Sequence, residues 1–362
     1  MQNLNLEILT EDGSARVTNF SVNGKKIETP IFMPVATRGS IKGLHMNMMR
    51  ALNFNILLCN TYHLMLRPGD EVIKNNGGLK NFINWDSLIL TDSGGFQGWS
   101  LKAKSLDKGI EIKSVYDGSN LLLTPENTIN TQNNLGSDIA MVLDDITNLD
   151  VDRNAAIDSI NKTYTWAKES KSLHNYDKQA LFGIVQGGLD LELRKMSSEM
   201  ISELEFNGLA IGGLALGESI EERNSIVEIC NQYTPKDVPK YAMGVGDILS
   251  MLELIERGID MFDSVWPTRL ARHGKIITGN NYINLKNKEY AKSDTPLFDE
   301  CMCSTCSKYT KSYLRHLLIN EEVSSWSYLS IHNLYQTKNI IDNAREAIRM
   351  GQFIKYKKEF VS

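Results

Sequence analysis

Residues 181–213 of the chain have the sequence LFGIVQGGLDLELRKMSSEMISELEFNGLAIGG. The apolar runs at 181–185 and 208–211 have the length of buried strands, and two glycines closely follow each of them. The stretch between them, 191–204, has the pattern of a helix. Strands separated by a helix are expected to pair in parallel through a crossover connection. The stretch therefore predicts a strand–helix–strand unit.

The same alternation extends over most of the chain. Short apolar runs rich in β-forming residues lie at 30–33, 56–59, 88–90, 139–143, 181–185, 208–211, 240–243 and 261–263. Helical stretches between them include 124–136, 151–174, 191–204 and 219–232, and Thr124 and Ser219 are N-cap signals. Eight units within about 250 residues are typical of a (β/α)8 TIM barrel, so we predict an α/β fold of this kind. An open, doubly wound sheet is the alternative.

Two β structures are expected outside this alternation. Residues 6–27 predict an N-terminal β-hairpin with turns at 12–13 and 23–24, and residues 110–115 with 121–123 predict a β insertion around 117–118. We divide the chain into residues 1–275, a catalytic barrel with its hairpin, and 276–362. The second part is expected to be a zinc-binding subdomain with C-terminal helices that complete the barrel.

The zinc site is predicted from cysteine spacing. The chain concentrates three of its five cysteines within six residues, at Cys301, Cys303 and Cys306, and His332 follows 26 positions after the last. Three thiolates and one imidazole satisfy tetrahedral Zn²⁺, and four protein ligands leave no position for substrate. We therefore predict one structural zinc ion. The alternative is a chance cluster of buried thiols, whereas the odd number of cysteines argues against a disulfide framework.

Composition limits the classes of protein. The chain has 362 residues, 42% of them hydrophobic, and no apolar stretch near the ~18 to 20 residues of a membrane span. With no N-terminal signal segment, we expect a soluble cytoplasmic protein without membrane partners. The net charge of −5 does not indicate a nucleic-acid partner, so any polyanion needs a local patch. Basic residues become frequent toward the C-terminus, at Arg269, Arg272, Lys275, Lys286, Lys288, Lys292, Lys308, Lys311 and Arg315.

Polar residues and glycines follow the predicted strands. Reading each run to its end gives Asn60, Asp92, Asp144, Gln186, Gly213, Gly244 and Asp263. In a (β/α)8 barrel the carboxyl ends of the strands surround one site, so these residues are expected to converge. Any single one of them has an ordinary use as a helix cap or a loop residue. Together, three carboxylates at one mouth favour displacement at a sugar carbon, with one nucleophile and one acid/base.

The glycine pairs and two apolar residues suggest a flat ligand. Ser93-Gly94-Gly95 and the glycines at 187–188 and 212–213 would bring backbone N–H groups to the mouth. Phe96 and Met243 could stack on such a ligand, although core packing is their ordinary use.

Longer motifs give a resemblance to a known family. The motifs are TDSGGFQ at 91–97, NTYHL at 60–64 with RPG at 67–69, VQGG at 185–188, IGGLA at 211–215, YAMGVG at 241–246 and DMFDSVWPTR at 260–269. In this order they closely resemble tRNA-guanine transglycosylase, also called queuine tRNA-ribosyltransferase, nearly end to end. The resemblance implies a zinc-containing (β/α)8 enzyme. Its expected reaction removes guanine from the wobble position of tRNAs for Asp, Asn, His and Tyr and inserts a 7-deazaguanine base.

The resemblance also implies residue roles. Asp263 is expected to be the nucleophile that forms a covalent tRNA–enzyme intermediate, and Asp92 the general acid/base. The base-binding residues implied are Asp92, Ser93, Gly94, Gly95, Phe96, Asp144, Gln186, Gly213 and Met243, and the RNA-binding residues are Gly244, Thr268, Arg269 and Arg272. The expected partners are the tRNA anticodon stem-loop and free guanine or a 7-deazaguanine base.

The identity of the incoming base is left open by the pocket residues. Asp144-Asp145-Ile146-Thr147 is nearer the eukaryotic subunit that takes queuine, whereas a branched side chain at Leu216 fits enzymes that take the smaller aminomethyl precursor. Gly98, Trp99 and Ser264 also depart from the common pattern.

Alternatives remain open for the oligomeric state and for the class of function. Tyr309, Tyr313, His316 and Leu317 resemble the aromatic dimer patch of the family, so a homodimer is expected, with a heterodimer or a plain core stripe as alternatives. A non-catalytic partner subunit and a (β/α)8 hydrolase of free nucleosides are the other functions. The presence of both Asp92 and Asp263 argues against the first. The second would not need Arg269 and Arg272.

Overall fold

A computed structural model describes residues 4–360 of the chain. The strands are β1 Glu7–Asp12, β2 Ala15–Val22, β3 Lys25–Thr29, β4 Ile31–Pro34, β5 Ile56–Cys59, β6 Leu88–Thr91, β7 Lys104–Leu106, β8 Gly109–Lys113, β9 Asn120–Leu123, β10 Ile139–Met141, β11 Ala180–Val185, β12 Gly208–Ile211, β13 Lys240–Ala242, β14 Met261–Ser264, β15 Lys275–Thr278 and β16 Asn281–Asn284.

Eight of these strands form one parallel barrel. Their order is β4-β14-β13-β12-β11-β10-β6-β5, and every neighbouring pair is parallel. A parallel bridge between Val35 and Leu58 joins the two ends of this order, and Ala36 N donates to Leu58 O at 2.7 Å. The predicted barrel is therefore confirmed, and the open doubly wound sheet is excluded.

Helices connect and cover the barrel strands. They are α1 Met46–Ala51, α2 Thr61–Leu66, α3 Asp70–Asn75, α4 Leu79–Ile83, α5 Gly95–Ser100, α6 Pro125–Leu135, α7 Arg153–Leu173, α8 Leu191–Ser202, α9 Ile220–Gln232, α10 Ile248–Glu256, α11 Trp266–His273, α12 Lys311–Ile319, α13 Ser324–Arg349 and α14 Phe353–Lys358, with a 3-10 helix at Lys288–Lys292. Thr124 and Ser219 each form a capping box at the start of α6 and α9, as the sequence predicts. Within residues 4–360, none of the helices combines the length and apolar character needed to cross a membrane.

The N-terminal strands cover the amino end of the barrel. Strands β1 to β3 form an antiparallel sheet with turns at both predicted positions, so the element is three-stranded, one strand more than a simple hairpin. Arg16 of β2 donates to both carboxylate oxygens of Asp260, just before β14, at 3.0 and 2.6 Å. Thr29 also donates to Asp260, at 3.1 Å. This end of the barrel is closed by protein, which leaves the carboxyl end open.

The β insertion is also three-stranded, because β7 pairs with the predicted strands β8 and β9. It packs on α5, where a Cβ on Gly98 would lie only 2.8 Å from Ile110. Glycine at position 98 therefore permits the close approach of the insertion to the helix that follows β6.

The C-terminal segment packs back onto the start of the barrel. Helix α13 contacts α11, β4 and β15, and Asn333 donates to the carbonyls of Pro267 and Lys275 at 3.0 and 3.1 Å. Arg345 forms an ion pair with Glu28 at 3.2 Å and donates to Pro30 O at 2.6 Å. The last long helix thus covers the outer face of the first barrel strand.

Candidate active site and metal centre

A cavity of about 290 Å³ opens at the carboxyl end of the barrel. The cavity-lining residues that the sequence singled out are Asn60, Asp92, Ser93, Gly94, Phe96, Asp144, Ile146, Gly213, Leu216, Met243, Gly244, Asp263 and Ser264. Gly95 and Gln186 lie behind this wall, against Asp144. The convergence expected from the strand ends is therefore present.

Asp92 is held from both sides by the segment that follows β5. Its Oδ1 accepts from Thr61 N at 2.9 Å, and its Oδ2 accepts from the Asn60 side chain at 2.5 Å. Burial raises the pKa of Asp92 to about 7, and the Asp263 charge adds to the rise, although the two hydrogen bonds lower it. A carboxyl group with this pKa can donate and accept a proton near neutral pH.

Asp263 has a different arrangement of donors. Its Oδ1 accepts from Tyr241 Oη at 2.5 Å and from Gly244 N at 2.7 Å. Burial raises the pKa of Asp263, and these two donors lower it. The pKa of Tyr241 is raised by burial and by the Asp263 charge, so the phenol stays protonated and can donate. Because both donors engage Oδ1, Oδ2 keeps its lone pairs for another bond.

Asp144 forms the polar floor of the cavity. Its Oδ1 accepts from Ser93 Oγ at 3.1 Å and its Oδ2 from Gln186 Nε2 at 2.7 Å. Burial raises its pKa to about 6, against the effect of the two donors. A Cβ on Gly95 would lie 2.5 Å from Asp144 Oδ1, so a side chain at position 95 would displace this carboxylate.

Phe96 and Met243 provide apolar surface at the cavity. Phe96 is 49% exposed, and its ring lies 5.5 Å from that of Trp99, whose Nε1 donates to Asn148 at 2.9 Å. An exposed aromatic ring beside a cavity is available to stack on a ligand. Trp99, a departure from the common pattern, thus supports Phe96 from outside the cavity.

Glu218 fixes the loop that lines the cavity after β12. Its carboxylate accepts from Ala215 N at 2.7 Å and from Leu216 N at 2.9 Å, and Arg223 donates to it at 2.6 Å. Burial raises the pKa of Glu218, but the Arg223 and backbone donors outweigh burial and leave the pKa lowered. The N–H and C=O of a trans peptide point in opposite directions, so the carbonyl of Leu214 points away from Glu218.

Three of the four expected RNA-binding residues, Thr268, Arg269 and Arg272, lie on α11 directly after β14, whereas Gly244 follows β13 and lines the cavity. Thr268 is buried, and its hydroxyl donates to Val265 O at 3.0 Å, so its side chain serves the first turn of the helix. Arg269 is exposed and Arg272 is partly exposed. In the part of the chain that the structure describes, neither arginine forms an ion pair with a carboxylate.

The cysteine cluster forms a separate centre. Ligand atoms of Cys301, Cys303, Cys306 and His332 all lie within 4.8 Å of one another, and all four residues are buried. His332 Nδ1 faces the three sulfurs at 3.4, 3.7 and 3.1 Å, while Nε2 contacts Ile277 O at 2.7 Å. A hydrogen bond to a backbone carbonyl orients the other ring nitrogen toward a metal. The cluster is suited to a metal ion.

Some supporting residues were not predicted from the sequence. Thr61 and Tyr241 lie within quoted motifs, but their bonds to the two catalytic candidates depend on neighbouring strands. Glu218 and Arg223 were not singled out. A tyrosine in the middle of the short buried strand β13 was the available signal for Tyr241.

Comparisons with known proteins agree with this geometry. A sequence model of the family described as queuine tRNA-ribosyltransferase matches residues 11–362. A protein of that name from Thermoanaerobacter sp. (strain X514) is 43% identical over 337 residues, 92% of this chain and 90% of the relative. Those from Lawsonia intracellularis and Francisella tularensis subsp. novicida are 44% and 40% identical, covering 97% and 99% of this chain and 96% and 98% of the relatives. The chain therefore belongs to the queuine tRNA-ribosyltransferase family.

Proposed function

We propose that this protein is a tRNA-guanine transglycosylase. It exchanges the wobble guanine of tRNAs for Asp, Asn, His and Tyr for a 7-deazaguanine base in the cytoplasm. The observation that carries the proposal is the pair Asp92 and Asp263, two carboxylates at one cavity with different donors. The difference suits one proton-transfer residue and one nucleophile.

Asp263 is the proposed nucleophile. Its Oδ2 attacks C1′ of the ribose, the ester bond forms, and the C1′–N9 bond to guanine breaks. The Tyr241 and Gly244 donors hold Oδ1 and leave Oδ2 free to react. In the second displacement, N9 of the incoming base attacks C1′ and releases the Asp263 carboxylate. Two displacements retain the configuration at C1′.

Asp92 is the proposed general acid/base. It gives its proton to the departing guanine, and it takes a proton from the incoming base in the second step. The pKa of about 7 supports both directions at neutral pH. Thr61 and Asn60 fix the orientation of the carboxyl group through both steps.

The base is proposed to bind between Phe96 and Met243. The Asp144 carboxylate, ionised at neutral pH, accepts hydrogen bonds from the ring N–H and the exocyclic amine of guanine. The second N–H of Gln186 and the backbone N–H of Gly213 donate to the ring carbonyl. The backbone of Ser93, Gly94 and Gly95 lets the flat ring approach.

We infer that the incoming base is the smaller aminomethyl precursor. Leu216 lines the cavity, where its branched side chain takes space that a cyclopentenediol would need. The Leu214 carbonyl points away from Glu218 and is an acceptor for an ammonium group. Ile146 also lines the cavity, and it does not by itself make room for the larger queuine.

The RNA contacts are proposed on α11 and at the mouth. Arg269 and Arg272 are free of carboxylate partners within residues 4–360 and follow the nucleophile, so they can contact the anticodon loop. Gly244 and Thr268 border this surface. The buried position of Asp263 requires the target nucleotide to leave its stack.

The metal is proposed to be one structural Zn²⁺. Zinc bonds of about 2.0 to 2.3 Å in a tetrahedron place ligand atoms roughly 3.3 to 3.8 Å apart. The distances from His332 Nδ1 to the three sulfurs, 3.4, 3.7 and 3.1 Å, lie within or close to this range. Residues 1–275 would then form the catalytic barrel, and 276–362 a zinc-binding subdomain whose helices complete the outer layer.

We infer a homodimer from the residues after the metal cluster. The rings of Tyr309 and Tyr313 stack at 5.4 Å, and Tyr313 is 43% exposed. His316 is exposed on the same helix, whereas Leu317 is buried in the core. An exposed aromatic patch of this kind is typical of protein interfaces.

The test is a base-exchange assay. Purified protein is given guanine-loaded tRNA with labelled guanine, aminomethyl-deazaguanine or queuine. Label is expected to enter tRNA for Asp, Asn, His and Tyr and not a tRNA that lacks the wobble guanine. Incorporation at background level with all three bases would overturn the proposal. Release of guanine from free guanosine, with none from tRNA, would favour the nucleoside hydrolase.

A further inference from the structure

Charge at the open end of the barrel is divided between two sectors. The segments after β10, β11, β12 and β13 carry mostly carboxylates, at Asp145, Asp150, Asp152, Asp190, Glu192, Glu218, Glu221, Glu222 and Asp247. The segments after β14, β4 and β5, which are consecutive in the barrel, carry mostly cations, at Arg269, Arg272, Arg38, Lys42 and Arg67. Asp70 and Glu71 also follow β5, at the start of α3, where both accept hydrogen bonds from Asn134. A polyanion that reaches the cavity would therefore be attracted to the second sector and repelled by the first.

Two arginines of the basic sector share one aromatic ring. The Cζ atoms of Arg38 and Arg67 lie 5.3 and 4.3 Å from the ring centroid of Tyr116, so both cations interact with the same ring. Both side chains are exposed, and among residues 4–360 neither guanidinium forms an ion pair. The neighbouring Asp117 instead accepts hydrogen bonds from Ser119.

The ring is tied to the catalytic region. Tyr116 Oη lies 3.2 Å from His63 Nδ1, and His63 is on α2, whose first residues hold Asp92. Arg38 directly follows Thr37, which lines the cavity. Two exposed cations without carboxylate partners thus contact one ring at the rim, where both remain available to bind an anion.

We propose that Arg38 and Arg67, held on Tyr116, form a phosphate-binding site for the RNA backbone. The site rests on the proposed tRNA substrate. With Arg269 and Arg272 after β14 and this pair after β4 and β5, phosphates on both sides of the flipped nucleotide are held. The RNA strand then crosses the mouth over β14, β4 and β5, away from the acidic sector.

The test compares the double variant Arg38→Gln/Arg67→Gln with Arg153→Gln. Arg153 is an arginine of the acidic sector that pairs with Asp190 and Glu192, so it is the matched control. The dissociation constant of an anticodon stem-loop and the kcat and KM of guanine exchange are measured at KCl concentrations from about 0.05 to about 0.3 M. Phosphate contacts change affinity strongly over this range.

The double variant is expected to bind the stem-loop about 10- to 30-fold more weakly at low salt, because two phosphate contacts are lost. The salt slope, which is the slope of log affinity against log salt concentration, should become shallower by about 0.7 for each lost contact. The KM for tRNA should rise by a similar factor, while kcat and the KM for the free base stay within about 2-fold of wild type. Arg38→Lys/Arg67→Lys should restore most of the binding. Arg153→Gln should bind like wild type.

Wild-type affinity and salt slope in the double variant would overturn the phosphate site. If the double variant does not fold, each single variant is measured, and about a 3- to 5-fold loss is expected from either. Unchanged binding in both single variants would overturn the site equally. These failures are distinct from failure of the proposed function, in which the wild type itself would not exchange guanine.

Discussion

Two aspartates three residues apart, Asp260 and Asp263, lie at opposite ends of β14 and have opposite surroundings. Asp260, at the closed end, is fully buried and paired with the guanidinium of Arg16. Asp263, at the open end, is held by neutral donors from Tyr241 and Gly244. The same type of side chain is paired with a cation at the closed end of the barrel and has no cation partner where it lines the cavity.

The open end follows this rule throughout. Within residues 4–360, Asp92, Asp144 and Asp263 form no ion pair with Lys or Arg, and hydroxyl, amide and backbone groups hold them instead. Neutral donors fix a carboxylate in place without lowering its pKa as far as a cation would. The comparison therefore predicts that substitutions at the open end of the barrel mainly change activity, and that substitutions at the closed end mainly change stability.

The largest effect is expected for Asp263→Asn. The amide keeps the shape of the side chain but lacks the anionic oxygen, so exchange should fall by roughly 10⁴-fold or more. A denaturing gel of enzyme and tRNA without free base should show a slowly migrating adduct for wild type only. The folded fraction should be unchanged by circular dichroism. A persistent adduct in the variant would move the nucleophile to another residue.

Cys303→Ala should lose both the metal and stability. Three remaining ligands bind zinc weakly, so the variant should lose its metal and roughly several kcal/mol of the free energy of unfolding, because metal binding contributes to folding. Elemental analysis and urea denaturation measure the two losses. Cys230→Ala, which removes a buried thiol outside the cluster, is the control and should keep the metal. Full zinc occupancy in Cys303→Ala would contradict the ligand assignment.

Asp260→Asn tests the closed end directly. It leaves the buried Arg16 guanidinium without its anion, and breaking a buried pair costs about 3 to 5 kcal/mol. The free energy of unfolding by urea should fall by that amount. Where the variant is still folded, its kcat should remain near wild type, because Asp260 does not line the cavity. A loss of kcat with unchanged stability would break the comparison between the two ends.

Asp92→Asn should make stability less dependent on pH. The folded pKa of Asp92 is raised from 3.8 to about 7, so ionising it destabilises the wild-type fold increasingly as pH rises from 3.8 to 7. The asparagine does not ionise. The unfolding free energy of the variant relative to wild type should therefore rise by about 2 to 3 kcal/mol between pH 5 and pH 8. If the unfolding free energies of variant and wild type changed in parallel with pH, the pKa of Asp92 would not be raised in the folded protein.

Leu216→Gly should have the smallest effect. Removing the branched side chain opens the cavity, so kcat/KM for queuine should rise about 10-fold, while guanine exchange stays nearly unchanged. Equal wild-type efficiency with queuine and the aminomethyl precursor would contradict the steric argument.

The sequence alone was sufficient to predict the barrel and the polar residues that follow its strands. Periodicity reveals strands and helices locally, and parallel topology then brings the strand ends together without further information. The runs at 56–59 and 208–211 match β5 and β12 residue for residue. The same reasoning placed Asp92, Asp144 and Asp263 at one cavity.

The partners of these residues were less accessible to sequence reasoning. Arg16 and Asp260 are 244 positions apart, and their pairing depends on how the N-terminal sheet packs under the barrel. Tyr241 faces Asp263 because β13 and β14 are neighbours, and the register of that pair is not encoded in either strand alone. Side-chain partners across separate elements therefore need the tertiary structure.

The closure of the barrel has a consequence for folding during synthesis. Strand β4, near the start of the chain, pairs with β14, and its outer face is covered by α13. These contacts have very large sequence separation, and contacts of that kind form late and slowly. Asp263 cannot lie beside Asp92 until β14 has emerged from the ribosome. The proposed reactive pair is therefore assembled only after β14, the last of the eight barrel strands, has emerged.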